Sequence, residues 1–253
     1  EMLASSSLVV IGAHHFGRDS NDPVYAAVAT VAWSRVLLVE ASPIVSAALR
    51  AQVVQANPTP HVPPDQVSVV NAGICPLGAK DLDAAGSNTP RPFFSLPAMA
   101  GLPHWVSQIG SFNVEHIESH LVPLVSWQSA GSKLDVSTLR RSIRATNVSC
   151  GSLLRLLRQQ SMPPIGLLVV DTEGLDCEIL GSQDWSSKEW CKIGPTVLVF
   201  EWKHCVPSAH TRALQALESS RCPGREPYRV VMEDHENTIL TRVKRLYWGS
   251  ESP

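Results

Sequence analysis

I-G-L-L-V-V-D, Ile165 to Asp171, followed by T-E-G-L-D-C-E-I-L-G, Thr172 to Gly181, is the most informative stretch of the chain. Four aliphatic residues in a row, Leu167 to Val170, show no alternation, which marks a strand buried on both faces in a parallel sheet. The run closes on an acid, turns through Thr172-Glu173-Gly174 and enters a short helix that stops at Gly181. A strand, a polar turn and a helix form the repeating unit of doubly wound α/β sheets, whose ligands lie beyond the carboxyl ends of the strands.

The same unit recurs on both sides. Upstream, Ser7 to Gly12 (S-L-V-V-I-G) reads as a first strand, and Asp22-Pro23 as the N-cap and first residue of a helix reaching Trp33. Arg35 to Glu40 (R-V-L-L-V-E) is a second strand, Ser42-Pro43 opens a helix to Gln55, and Gln66 to Asn71 is a third strand. Immediately before the quoted run, Cys150 to Gln160 places leucines 153, 154, 156 and 157 on one helical face. Downstream, Pro195 to Glu201 is a further strand, Ser208 to Ser219 a helix, and Tyr228 to Glu233 with Thr238 to Val243 an antiparallel pair. The expected fold is one α/β domain over residues 1–253: a Rossmann-like, mostly parallel doubly wound sheet with a C-terminal antiparallel hairpin. Between the third and fourth core strands, residues 75–147 are broken by prolines and glycines and read as an irregular insertion, with a strand expected over Leu121–Ser129 and Val136–Ile143 ambiguous.

Composition narrows the function. Of the 253 residues, 44% are hydrophobic and 17% charged, enough apolar surface to offset the entropy of ordering a core. A net charge of −2 gives no electrostatic basis for nucleic acid as a partner. No apolar run approaches the roughly 18 residues of a membrane span, so a soluble protein is expected, in the cytoplasm or the lumen of the secretory pathway. The six cysteines form no C-x-x-C pair, which argues against a zinc site of that kind and leaves most of them as buried thiols. Their even number and the sequon Asn147-Val148-Ser149 also fit a secretory route.

Candidate site residues cluster at the strand ends. Gly12-Ala13-His14-His15-Phe16-Gly17 joins the first strand to the first helix, a place where glycine lets backbone approach a ligand. Glu40 ends the second strand 28 residues after Gly12, near the offset at which an acid accepts hydrogen bonds from both ribose hydroxyls. There is no lysine-bearing P-loop and no G-x-S-x-G elbow. An NAD(P)-linked oxidoreductase is the competing enzyme class, but its G-x-G-x-x-G is missing. His116 and His120 stand four apart, so a helix would put them on one face. They read either as a metal pair or as partly exposed histidines on a helix beside the substrate cleft, and no metal is assigned. Trp105 and Trp127 are candidates for an acceptor pocket or for the insertion's own core.

Together these blocks resemble the FkbM family of S-adenosylmethionine (SAM)-dependent O-methyltransferases. D-T-E-G-L-D-C-E-I-L-G is similar to the family's D-x-E-G block and short helix, P-T-V-L-V-F-E-W to its fifth strand, and V-V-N-A-G-I to its third. The resemblance runs from about Leu8 to Val243 and is faint over 75–147. It implies a SAM methyltransferase fold and methyl transfer to a hydroxyl of a sugar, polyketide or other small metabolite. By the same resemblance, Gly12, Ala13, His14 and Gly17 shape the SAM loop, and Glu40, with Ala41 and Ser42 after it, holds the ribose. Asn71 and Ala72 lie near the adenine; Asp171 and Glu173 face the reactive methyl and substrate, where either could act as base, with Glu201 and His204 as further candidates. The loop G-A-H-H-F-G is one residue longer than the family's G-A-N-x-G. That departure motivates an alternative, a methyltransferase-fold binding module without catalysis.

Overall fold

The computed structural model describes residues 6–14, 23–55, 62–76, 89–103, 106–107, 109–128 and 134–243. Its first half runs β1 (Ser7–Ile11), α1 (Pro23–Thr30), β2 (Arg35–Glu40), α2 (Pro43–Gln55) and β3 (Val67–Asn71). The middle holds β4 (Gly73–Ile74), β5 (Thr89–Ser95), β6 (Gly110–Ser111), α3 (Val114–Ser126), α4 (Val136–Ser142), β7 (Arg144–Gly151) and α5 (Leu153–Gln159). The last third is β8 (Ile165–Val170), α6 (Asp176–Gly181), α7 (Lys188–Ile193), β9 (Val197–Glu201), α8 (Pro207–Glu218), β10 (Arg229–Glu233) and β11 (Asn237–Thr241).

Seven strands form the main sheet in the order β10-β11-β9-β8-β1-β2-β3. From β3 across to β9 every pairing is parallel, and β11 and β10 then close the far edge antiparallel. The chain builds outward from β1 in one direction through β2 and β3, then returns to β1's other side with β8. The strand order therefore reverses between β1 and β8, where a doubly wound sheet opens a crevice.

Alternation along each strand makes two cores. Val9 and Ile11, Leu37 and Val39, Leu168 and Val170, and Leu198 and Phe200 face the helices α5, α6 and α8. Their neighbours Leu8, Val10, Val36 and Leu38 face Val28, Leu49 and Val53 of α1 and α2. Leu8, Val9, Val36, Leu37 and Leu38 are wholly buried, each contributing roughly 1.5–3 kcal/mol. This two-sided burial is why the strands read as unbroken aliphatic runs.

The described residues of the insertion, expected to be irregular, carry regular elements. Its strands, with β4, form a second sheet, β4-β7-β5-β6, in which β5 pairs antiparallel with β7 from Arg144 to Cys150. Pro90 and Pro92 are tolerated in β5 because β6 pairs only with Phe94 and Ser95 and leaves the rest of that edge open. In place of the strand expected over Leu121–Ser129, Leu121 to Ser126 complete α3, where His116, Ile117, Leu121 and Leu124 bury one helical stripe and Asn113 caps the N-terminus through Glu115 N; Ser129 lies outside the described residues. Val136–Ser142 is helical, capped by Asp135 on Thr138 N at 2.7 Å. Both helices pack on a cluster of their own with Leu96, Val106, Ile109 and Leu139. The helix expected from Cys150 starts only at Leu153, because Cys150 and Gly151 finish β7 and the Ser152 hydroxyl caps Arg155 N.

The cysteines are not thiols. All six are paired, Cys75 with Cys150, Cys177 with Cys205 and Cys191 with Cys222. The first joins the segment after β3 to β7 and the second joins α6 to the loop after β9. Among the described residues no helix is long and apolar enough to cross a membrane. The expected N-cap Asp22 lies outside the described residues.

Candidate functional site

The carboxyl ends of β1, β2 and β8 meet through main-chain bonds. Gly12 N and Ala13 N both donate to the carbonyl of Val39, at 2.9 and 3.1 Å, and Asp171 N donates to Ile11 O at 2.9 Å. Gly12 has a φ of +84°, and a Cβ there would overlap the Asp171 carbonyl. Only glycine meets both demands.

Beyond this junction, Gly12, His14, Glu40, Ala41 and Ala72 line one cleft. Five of the residues expected to hold the cofactor are thus brought together. Phe93 and Phe112, contributed by the insertion, form its other wall with their rings edge to face at 5.1 Å. Gly73 and Gly110 lie against these rings where any side chain would collide.

Glu40 is 3% exposed. Its Oε1 accepts from Ser42 N at 2.6 Å, while Oε2 is buried and, among the described residues, has no hydrogen-bond partner. Burial raises the proton affinity of this carboxyl, partly opposed by His14 and by the bonds from the following backbone. The remaining expected residues support the cleft from behind. Asn71 Nδ2 donates to the carbonyls of Glu40 and Ala41, at 2.9 and 2.8 Å, and so fixes the bend after β2. Ser42 Oγ accepts from Val45 N at the start of α2. Ala13 packs its methyl into the α1–α2 core. Gly17 and Trp105 lie outside the described residues, and Trp127, 53% exposed at the end of α3, belongs to neither the cleft nor the insertion's core.

The turn after β8 is held by an acid that the sequence reading passed over. Asp176, wholly buried, accepts from Thr172 N and Thr172 Oγ1, each at 3.0 Å, and from Gly174 N at 3.4 Å. Burial first, then the charge of Asp171, push its carboxyl up to about 8, against the two Thr172 donors and its own backbone N–H. The signal was present in the spacing D-T-E-G-L-D, since an aspartate folded back on its preceding turn is a common device for satisfying loop amides.

Glu173, at the turn's apex, adopts a left-handed φ of +53°, costly for a side chain with a Cβ. Ser111 Oγ donates to its carbonyl at 2.9 Å, and its Oε2 lies 3.0 Å from His116 Nε2. Burial would raise the Glu173 carboxyl, but the His116 hydrogen bond and the imidazoles of His14, His116 and His204 outweigh it and hold it below its ordinary value. His116 and His120 do share one face of α3, with Nε2 atoms 3.2 Å apart. His204, from the loop after β9, completes a ring cluster, its centroid 4.7 Å from His116 and 5.8 Å from His120. Burial, with the neighbouring His116 next, lowers the proton affinity of His120 and His204. Glu201 Oε1 stands 3.9 Å from His204 Nε2. Burial, followed by the charges of Asp171, Glu173 and Asp176, pushes the Glu201 carboxyl up to about 8.

The site thus has two compartments side by side: a cleft at the β1–β2 ends with a carboxylate oxygen unpartnered among the described residues, and a cluster of imidazoles and acids at the β8–β9 ends. Compared with protein-family models, with curated proteins and with solved structures, the chain matches none.

Proposed function

We propose that this chain is a SAM-dependent O-methyltransferase of FkbM-like architecture, acting on a hydroxyl of a sugar, polyketide or other small metabolite. The observation that carries this reading is Glu40 Oε2: a buried carboxylate oxygen without a partner among the described residues, in a cleft beside a glycine that cannot bear a side chain. Leaving such an atom unsatisfied costs roughly 1–3 kcal/mol, and a ribose diol supplies the missing donors. The position at the end of the second strand, next to the reversal of strand order, is where an adenosyl ligand of such a sheet would present its ribose.

A dinucleotide would use the same acid. Against it, the second glycine of a G-x-G-x-x-G pyrophosphate loop is replaced by His14, a side chain where the backbone must approach the phosphates. Methyl transfer needs chiefly alignment, because the sulfonium already activates the methyl group, and a hydroxyl acceptor gains from a nearby base. Asp171 is the acid of the D-T-E-G turn whose backbone meets Gly12; Glu173 is held by His116 instead. Complete pairing of the cysteines supports an oxidising compartment such as the secretory lumen.

Calorimetric titration with SAM and S-adenosylhomocysteine, with NAD and NADP as controls, tests the reading. Micromolar binding of the adenosyl ligands alone is the expected outcome. Binding of NAD or NADP instead would point to an oxidoreductase, and binding of none would favour a methyltransferase-fold module without catalysis.

A further inference from the structure

The imidazole cluster has a geometry that the methyl-transfer reading does not use. Its four members come from three separate places: His116 and His120 from α3 of the insertion, Glu173 from the turn after β8, and His204 from the loop after β9. Each offers one donor atom, and the four atoms lie within 4.8 Å of one another. Two of the separations are given by His116 Nε2, 3.0 Å from Glu173 Oε2 and 3.2 Å from His120 Nε2. Around one metal ion with bonds of about 2.0–2.1 Å, adjacent ligand atoms stand roughly 2.9–3.4 Å apart and opposite ones about 4.2 Å. The cluster therefore has the dimensions of a single, slightly open coordination shell.

Hydrogen bonding alone satisfies it poorly. His116 Nε2 faces both a carboxylate oxygen and another imidazole nitrogen, so one proton is shared between two acceptors. A cation at the centre would use all the converging lone pairs at once. The surroundings favour one. Glu201 stands 3.9 Å from His204, and Lys203, the adjacent cationic side chain, is drawn away to Glu236 at 2.7 Å. Gly174, at a φ of +102°, lets the turn lie against the His116 ring and His204. The left-handed Glu173, anchored through its carbonyl by Ser111, aims its carboxylate at the histidines.

We propose that His116, His120, His204 and Glu173 form a binding site for one divalent transition-metal ion of the zinc class. Three imidazoles and one carboxylate suit such an ion, whereas magnesium and calcium prefer shells of oxygen. Because the ligands come from α3 and from the ends of β8 and β9, the ion would pin the insertion to the main sheet beside the cleft. This inference does not rest on the methyltransferase reading.

The test uses the untagged full chain with zinc ion alone and no adenosyl ligand. After loading and exhaustive dialysis, elemental analysis should find one zinc per chain, and cobalt should give visible d–d absorption at the same stoichiometry. Zinc should also raise the melting temperature. His120→Ala and His204→Ala, with folding checked by circular dichroism, should each weaken zinc binding at least tenfold and abolish the cobalt spectrum. His235→Ala, which alters an exposed histidine outside the cluster, should change neither. A folded wild-type chain that retains no zinc would overturn the proposal, as would full zinc retention by both cluster variants.

Discussion

Gly12 and Asp171 are packed backbone to backbone: the α-carbon of one lies against the carbonyl of the other, with no room for a Cβ between them. Gly12→Ala therefore faces two penalties, the left-handed φ of +84° and a collision that can be relieved only by moving β1 from β8. The strain alone is worth about 1–3 kcal/mol. We expect a loss of at least about 2 kcal/mol in urea unfolding, on the scale of such strain plus the collision. Gly174→Ala, strained but with its nearest neighbour atom at 3.4 Å, should lose less. Equal losses would mean that the contact with Asp171 contributes nothing.

Glu40 predicts a separation of stability from binding. Glu40→Gln keeps an oxygen for Ser42 N and removes a buried charge whose second oxygen is unpartnered among the described residues. The free protein should be no less stable, while SAM affinity should fall by one to a few kcal/mol, the scale of a lost charge-assisted hydrogen bond. Calorimetry and thermal melting on the same preparation check both halves. Unchanged affinity would remove Glu40 from the ribose site.

These two residues were legible in the sequence because the aliphatic runs ending in Gly12 and Glu40 are buried on both faces and announce their own ends. The clamp by Asp176 and the meeting of His204, named only as a candidate base, with the histidines of α3 were not, because they depend on where a turn folds back and which loops meet. The insertion failed for a different reason. L-V-P-L-V within α3 has the β-branched content of a strand, and only the burial of His116, Ile117, Leu121 and Leu124 reveals the helical stripe. The cysteines carried no pairing information, since six allow fifteen connectivities and none of the partners is close in sequence.

The two acids expected to supply a base are not equivalent. Glu173 is engaged by His116 at 3.0 Å, so its loss should disturb the histidine cluster. Asp171→Asn should therefore retain SAM binding and lose turnover, whereas Glu173→Gln should retain SAM binding and also lower zinc retention. Single-turnover methylation of an identified acceptor, run beside SAM calorimetry, measures the first. Full activity in both variants would exclude both acids as the base.

Disulfide removal should follow loop length. Cys75–Cys150 spans 75 residues, against 28 for Cys177–Cys205 and 31 for Cys191–Cys222. Chain entropy alone assigns about 4.5 kcal/mol to the first and about 3.6–3.7 kcal/mol to each of the others. The Cys75→Ser/Cys150→Ser pair should thus shift the urea midpoint most. A larger effect from Cys177→Ser/Cys205→Ser would show that packing of α6 against the loop after β9 outweighs the unfolded-chain term.

Asp176 gives a pH dependence with a definite sign. Its carboxyl rises from an ordinary 3.8 to about 8 in the folded chain, driven by burial and by Asp171. Between those values the folded state holds a proton that the unfolded state releases, so the stabilisation is complete below about pH 4 and is lost as pH rises through about 8. Asp176→Asn stays neutral throughout and still offers one acceptor to Thr172 and Gly174. The melting temperature of the wild type relative to this variant should therefore be highest at about pH 4 and below, and decline steadily up to about pH 8. A difference that stays constant would mean that the three donors from Thr172 and Gly174 hold Asp176 ionised across the range, and that the turn is clamped by a carboxylate rather than by its acid.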